Sequence, residues 1–85
     1  MLTDKRMQTS YIENGVKYDV EGLLSTARGL PEKETLKRGL IAAFYDLGGP
    51  NLTAEGQWIV AYMLPLFRGV DAAGQLAILT AVLAI

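Results

Sequence analysis

Apolar residues along this chain recur at helical spacing in four runs, and glycine, proline and capping residues mark the breaks between them. The first run, Val16, Val20, Leu23, Leu24 and Ala27, ends at Arg28-Gly29. Ahead of it, Asn14-Gly15 lies between apolar residues and also reads as a hairpin turn pairing Tyr11 with Tyr18. A two-stranded hairpin is marginal in water, so a helix starting somewhere in 16–20 is favoured, with Asn14 as a candidate cap. The second run is clearer. Pro31 suits a first helical position, Glu32 and Glu34 complement the helix dipole, and Leu36, Leu40, Ala43, Phe44 and Leu47 form one stripe. Glu34 and Arg38 stand at i,i+4, and Gly48-Gly49-Pro50 is the expected stop, with glycine in a left-handed cap.

Thr53 is the expected N-cap of the third helix, in which Trp58, Ile59, Tyr62, Met63, Leu66 and Phe67 cover most of the circumference. Pro65 cannot donate to Ala61, so the last turn is expected to kink or loosen before Gly69. Asp71 then caps a fourth helix. Gly74, Ala77, Ala81 and Ala84 form its small-residue stripe, and Leu76, Leu79 and Leu83 a separate leucine face. The pattern therefore predicts an all-α fold, a small bundle of about four helices over 17–28, 31–47, 54–68 and 71–84. Residues 1–85 form a single domain, and 1–15 are a loosely ordered or hairpin-like N-terminal segment. An offset of forty residues matches Val20 to Val60, Leu24 to Leu64, Arg28 to Arg68, Gly29 to Gly69 and Leu36 to Leu76. Two pseudo-repeated helical hairpins would produce that echo.

Composition sharpens this picture mainly through its asymmetry. Of 17 charged residues in 85, only Arg68 and Asp71 lie beyond position 55. A chain of this size sits near the lower limit for folding alone, and without cysteine it has no disulfide staple. A net charge of −1 excludes a field that would gather nucleic acid. No signal-length apolar run follows the charged start, so a cytoplasmic location is the expectation, and "NLT" at 51–53 is read as a chance glycosylation match.

Candidate chemistry is sparse. With no histidine or cysteine, no nucleophile–base pair is suggested, and Glu32 and Glu34 point to different faces of a helix. "DLGGPNLTAE" lacks the alternating oxygen ligands of a calcium loop, and Gly48-Gly49 has no phosphate-binding context. Neither catalytic residues, a metal site nor a cofactor is expected. Lys33, Lys37 and Arg38 alternate with carboxylates and read as a solvated face. Arg28 and Arg68, at two turns, are candidate polar contacts.

The uncharged second half has three explanations. A membrane span needs about 20 consecutive apolar residues, and Arg68, Gly69 and Asp71 interrupt this one. An interfacial helix should carry lysine or arginine on its polar face, and the fourth helix has neither. The second explanation makes that helix the covered centre of a monomer. The third leaves an apolar face bare for another chain, and is favoured because two charge-poor helices cannot both be central in so small a bundle. The candidate interaction surface is Trp58, Tyr62, Phe67, Leu76, Leu79 and Leu83. Leu83→Glu and Trp58→Ala are expected to do more damage than changes at Lys33, Lys37 or Arg38.

In general character the chain resembles the small, acidic, cysteine-free proteins that phages and mobile elements use as stoichiometric inhibitors or adaptors. That is a similarity of type, carried by no motif. The expectation is a non-enzymatic helical interaction module that forms a homo-oligomer or meets a protein partner. The alternatives are an oligomeric ligand- or nucleotide-binding protein, a membrane-associated accessory protein and a weak DNA-binding regulator.

Overall fold

A computed structural model describes residues 10–13 and 16–85, with side chains from Asp19 onward. Of the segment 1–15 expected to be loosely ordered or hairpin-like, residues 1–9 and Asn14-Gly15 lie outside the described residues, and with them the expected hairpin turn. Backbone strands β1 (Ser10–Glu13) and β2 (Val16–Asp19) pair antiparallel with Tyr11 opposite Tyr18. Four helices follow among the described residues: α1 (Val20–Arg28), α2 (Lys33–Phe44), α3 (Ala54–Arg68) and α4 (Ala72–Leu83). The fold is a small all-α bundle.

The helix starts obey one local rule. Asp19, Thr53 and Asp71 hold extended backbone, and their side-chain oxygens accept from the N–H of the glycine three residues on, at 2.7, 3.1 and 2.9 Å. The cap of α1 is thus Asp19 rather than Asn14, because Val16–Asp19 is extended and the helix cannot begin before Val20. Glycine in the first turn also leaves room for the residue before the cap to fold back. A Cβ on Gly74 would stand 2.8 Å from the Val70 Cβ, and one on Gly56 3.3 Å from the Leu52 Cβ.

α2 differs from expectation at both ends. Its helix begins at Lys33, so Pro31 and Glu32 form a turn ahead of it, and Glu32 makes no side-chain capping bond. It ends at Phe44 because Asp46, with φ 56°, takes the left-handed position assigned to glycine. The Asp46 N–H then reaches the Ala43 carbonyl at 3.3 Å and the Leu47 N–H the Ala42 carbonyl at 2.8 Å, the paired closure of a Schellman motif. Leu47, beyond that reversal, leaves the apolar stripe and is exposed. Glu34 pairs with Lys37 at 3.4 Å instead of Arg38, whose guanidinium donates to Thr35 Oγ1. Lys37 itself reaches across to α4 and donates to the Leu83 carbonyl at 3.5 Å.

α3 is the central helix and touches α1, α2, α4 and β2. It runs through Pro65 to Arg68 as one helix, with Pro65 on the exposed side. The core joins Leu23, Leu24 and Ala27 of α1 to Leu36, Leu40 and Phe44 of α2. Ile59, Met63, Leu66 and Phe67 of α3 cross it, and Ile78 and Val82 of α4 close it. Among the described residues no buried side-chain nitrogen or oxygen lacks a partner. None of their helices is long and apolar enough to cross a membrane.

A candidate interaction surface on the fourth helix

α4 contributes only Ile78 and Val82 to the fully buried set. The helical repeat sets those two residues on one side, and Ala72, Ala73, Leu76, Ala77, Thr80, Leu83 and Ala84 on the other, all of them exposed. Leu76 is 64% exposed and Leu83 54%. Exposed helix faces normally carry charge, and this one carries none from Ala72 to Leu83.

Beside Leu76 the surface dips into an open groove of about 340 Å³ between the ends of α2 and α3 and the first half of α4. Its floor is built from the core: Phe44 and Phe67 stack with ring centroids 4.0 Å apart and planes 4° from parallel. Gln75 is fixed by donating to the Phe67 carbonyl at 3.2 Å, so one wall is tied to the end of α3. Tyr45, 54% exposed, stands on the opposite rim. Arg68 completes that rim and pairs with Asp46 at 3.2 Å across exposed surface. The left-handed turn at Asp46 is what swings this carboxylate toward α3.

The residues singled out from sequence divide three ways. Leu76 and Leu83 lie on the open face, with Leu79 half-buried where that face meets the groove. Phe67 is buried in the core, its ring stacked on Phe44, and meets the surface only as part of the groove floor. Trp58, 36% exposed, and the half-buried Tyr62 form an edge-to-face pair on α3, with centroids 4.8 Å apart and planes at 61°. That pair is not part of the α4 groove. Arg68 is on the groove rim, whereas Arg28 is exposed at the end of α1. Sequence reasoning missed Tyr45, Asp46 and Lys37 as members of this surface. The only available signal was Asp46 next to a chain reversal, since aspartate tolerates the left-handed region better than most residues.

A second groove of about 300 Å³ runs between the start of α1 and the small-residue side of α4, where Val20 and Val70 face Gly74, Ala77 and Ala81. A smaller one of about 180 Å³ lies between the N-terminal ends of α2 and α3, near Glu32, Thr35 and Thr53. Among the described residues no group of three or more carboxylates gathers to hold a metal ion. Comparison with protein-family models, curated proteins and solved structures finds no match to this chain.

Proposed function

We propose that this protein is a non-enzymatic helical interaction module that works by occupying the surface of another protein chain through the open face of α4. The observation that carries this reading is the charge-free exposed arc from Ala72 to Ala84, with two leucines more than half exposed. Taking about 200 Å² for a fully exposed large side chain, Tyr45, Leu76 and Leu83 alone present roughly 350 Å² of mainly apolar surface, in the size range of functional patches. Burying such an area is worth on the order of 9 kcal/mol at ~25 cal/mol/Å², comparable to the ~4–15 kcal/mol that association costs. Reversible docking fits that balance better than permanent assembly does. A stoichiometric inhibitor or adaptor, of the type phages and mobile elements encode, acts in this way.

The test is affinity capture with the wild-type chain and with Leu76→Glu, whose side chain lies at the surface and whose substitution leaves the core intact. A partner retained in stoichiometric amount by the first and lost by the second is the expected result. Equal retention by both, or by neither, removes the α4 face from the function. The groove beside Leu76 supports a second reading, a small-ligand site, because about 340 Å³ falls at the low end of ligand-pocket volumes. A thermal-shift screen with nucleotides and aromatic acids separates the two, since a ligand raises the melting temperature without a second protein.

A further inference from the structure

We infer that the groove between the start of α1 and the small-residue side of α4 seats this chain's own N-terminal segment, with Met7 between Val20 and Ala77 and Lys5-Arg6 beside Glu21. This groove is separate from the one beside Leu76, and the inference does not depend on the interaction-module reading. Strand register supplies the first argument. β1 and β2 run antiparallel with Ser10 opposite Asp19, the residue directly before Val20. Paired Cα atoms stand about 5 Å apart and consecutive ones about 3.8 Å, so Ser10 lies within roughly 9 Å of Val20, which lines the groove. Direction supplies the second. In an antiparallel pair the start of one strand meets the end of the other, so the backbone leaving Ser10 toward Thr9 heads the way β2 does as it enters α1. The chain outside the described residues therefore departs at this groove. Neither of the other two grooves is lined by a residue of the hairpin or of α1.

Length and chemistry fit as well. From Gly74 to Ala81 the α4 wall of the groove is about 10 Å long at ~1.5 Å per residue. The six residues from Leu2 to Met7 reach up to about 20 Å, enough to run along that wall. Gly74, Ala77 and Ala81 keep the wall low, so that a second backbone can lie close, and Val20, Val70 and Ile78 give the groove its apolar sides. An unbranched methionine adapts to so irregular a site better than a branched side chain does. Glu21 is the one charged residue lining the groove; it is exposed and makes no ion pair with another described residue. Lys5-Arg6, directly before Met7, supplies the opposite charge.

The direct test is nuclear Overhauser spectroscopy on the wild-type chain, in which the Met7 methyl is expected to contact the methyl groups of Val20, Ala77 and Ala81. Because the chain has no cysteine, a disulfide gives a second readout. Met7→Cys is combined either with Ala77→Cys or with Arg38→Cys on α2, and each double variant is equilibrated with glutathione in dilute solution. Ala77 and Arg38 are both exposed, so neither change touches the core. A tether alone gives an effective concentration in the millimolar range, and the 7–77 pair is expected to exceed the 7–38 pair by about tenfold or more. Glu21→Lys lowers the 7–77 value by roughly threefold, and adding Lys5→Glu with Arg6→Glu restores it. Equal values for the two pairs, with circular dichroism unchanged, overturn the inference, as does a Met7 methyl without contacts to α4. A 7–77 value indifferent to Glu21→Lys overturns the placement of Lys5-Arg6. Partner capture and its loss with Leu76→Glu leave these outcomes as they stand, so the two readings fail separately.

Discussion

α2 and α4 are both twelve residues long, and each follows a helix that ends in Arg-Gly. The turns before them are alike, with Gly29 and Gly69 at φ −86° and ψ near −4°. Yet α2 buries Leu36, Gly39, Leu40, Ala42 and Phe44 and turns Lys33, Glu34 and Arg38 outward, whereas α4 buries two residues and turns leucine and alanine outward. The forty-residue echo matches Leu36 to Leu76, and the fold separates them: one is 2% exposed and the other 64%. α2 is a finished surface helix. α4 has the composition of a buried helix and the position of a surface one, and that mismatch is the reason to assign it a partner.

The sharpest way to break this comparison is to cut both matched leucines. Leu36→Ala is expected to cost about 2–5 kcal/mol of unfolding free energy by denaturant titration, as for a large residue deleted from a packed core. Leu76→Ala should stay within about 0.5 kcal/mol at concentrations where the protein is monomeric. Equal losses would mean that Leu76 is covered within the monomer. A smaller effect probes how α4 is started. Gly74→Ala gains up to about 1 kcal/mol of helix propensity, but its Cβ meets the Val70 Cβ at 2.8 Å. Overpacking of about 1–3 kcal/mol should win, so a net loss of melting temperature is expected.

The capping difference between the two helices comes next. Asp71→Ala should cost about 1 kcal/mol, because it removes the acceptor for the Gly74 N–H. Glu32→Ala should cost less than about 0.5 kcal/mol, since Glu32 caps nothing through its side chain. A paired thermal melt of the two variants checks the difference. Smaller than the Asp71 effect is that of Lys37→Met, which deletes the link from α2 to the Leu83 carbonyl and should lower stability by about 0.5 kcal/mol in the same assay. An effect of 2 kcal/mol there would show that α4 is held on chiefly by this bond rather than by Ile78 and Val82. Leu83→Glu, with its side chain at the surface, then reports on association and hardly at all on folding.

Much of the architecture was legible from residue order. The stripe of α2, the caps Thr53 and Asp71, the span of α3 and the presence of two charge-poor helices all follow from spacing, because helical periodicity and capping are local properties. Helix ends were less legible. Asp46 rather than glycine reverses the chain after α2, and the Arg68 partner that this reversal exposes lies 22 residues further on. The third helix is apolar nearly all round, and periodicity cannot say which side of such a helix meets a neighbour, so spacing does not show that Phe67 is buried against Phe44.

By itself the sequence determined that four short helices would form, where most of them begin, and that the last would carry no charge. Only the tertiary structure decided that α3, not α4, takes the centre of the bundle. It also brought Phe44, Tyr45, Arg68 and Leu76 around one groove. The physical reason is that hydrogen-bonded turns and caps are settled within a few residues. Which apolar helix is covered depends instead on packing between segments far apart in the chain, where α3 buries Ile59, Met63, Leu66 and Phe67 and α4 only Ile78 and Val82, one side of it staying open.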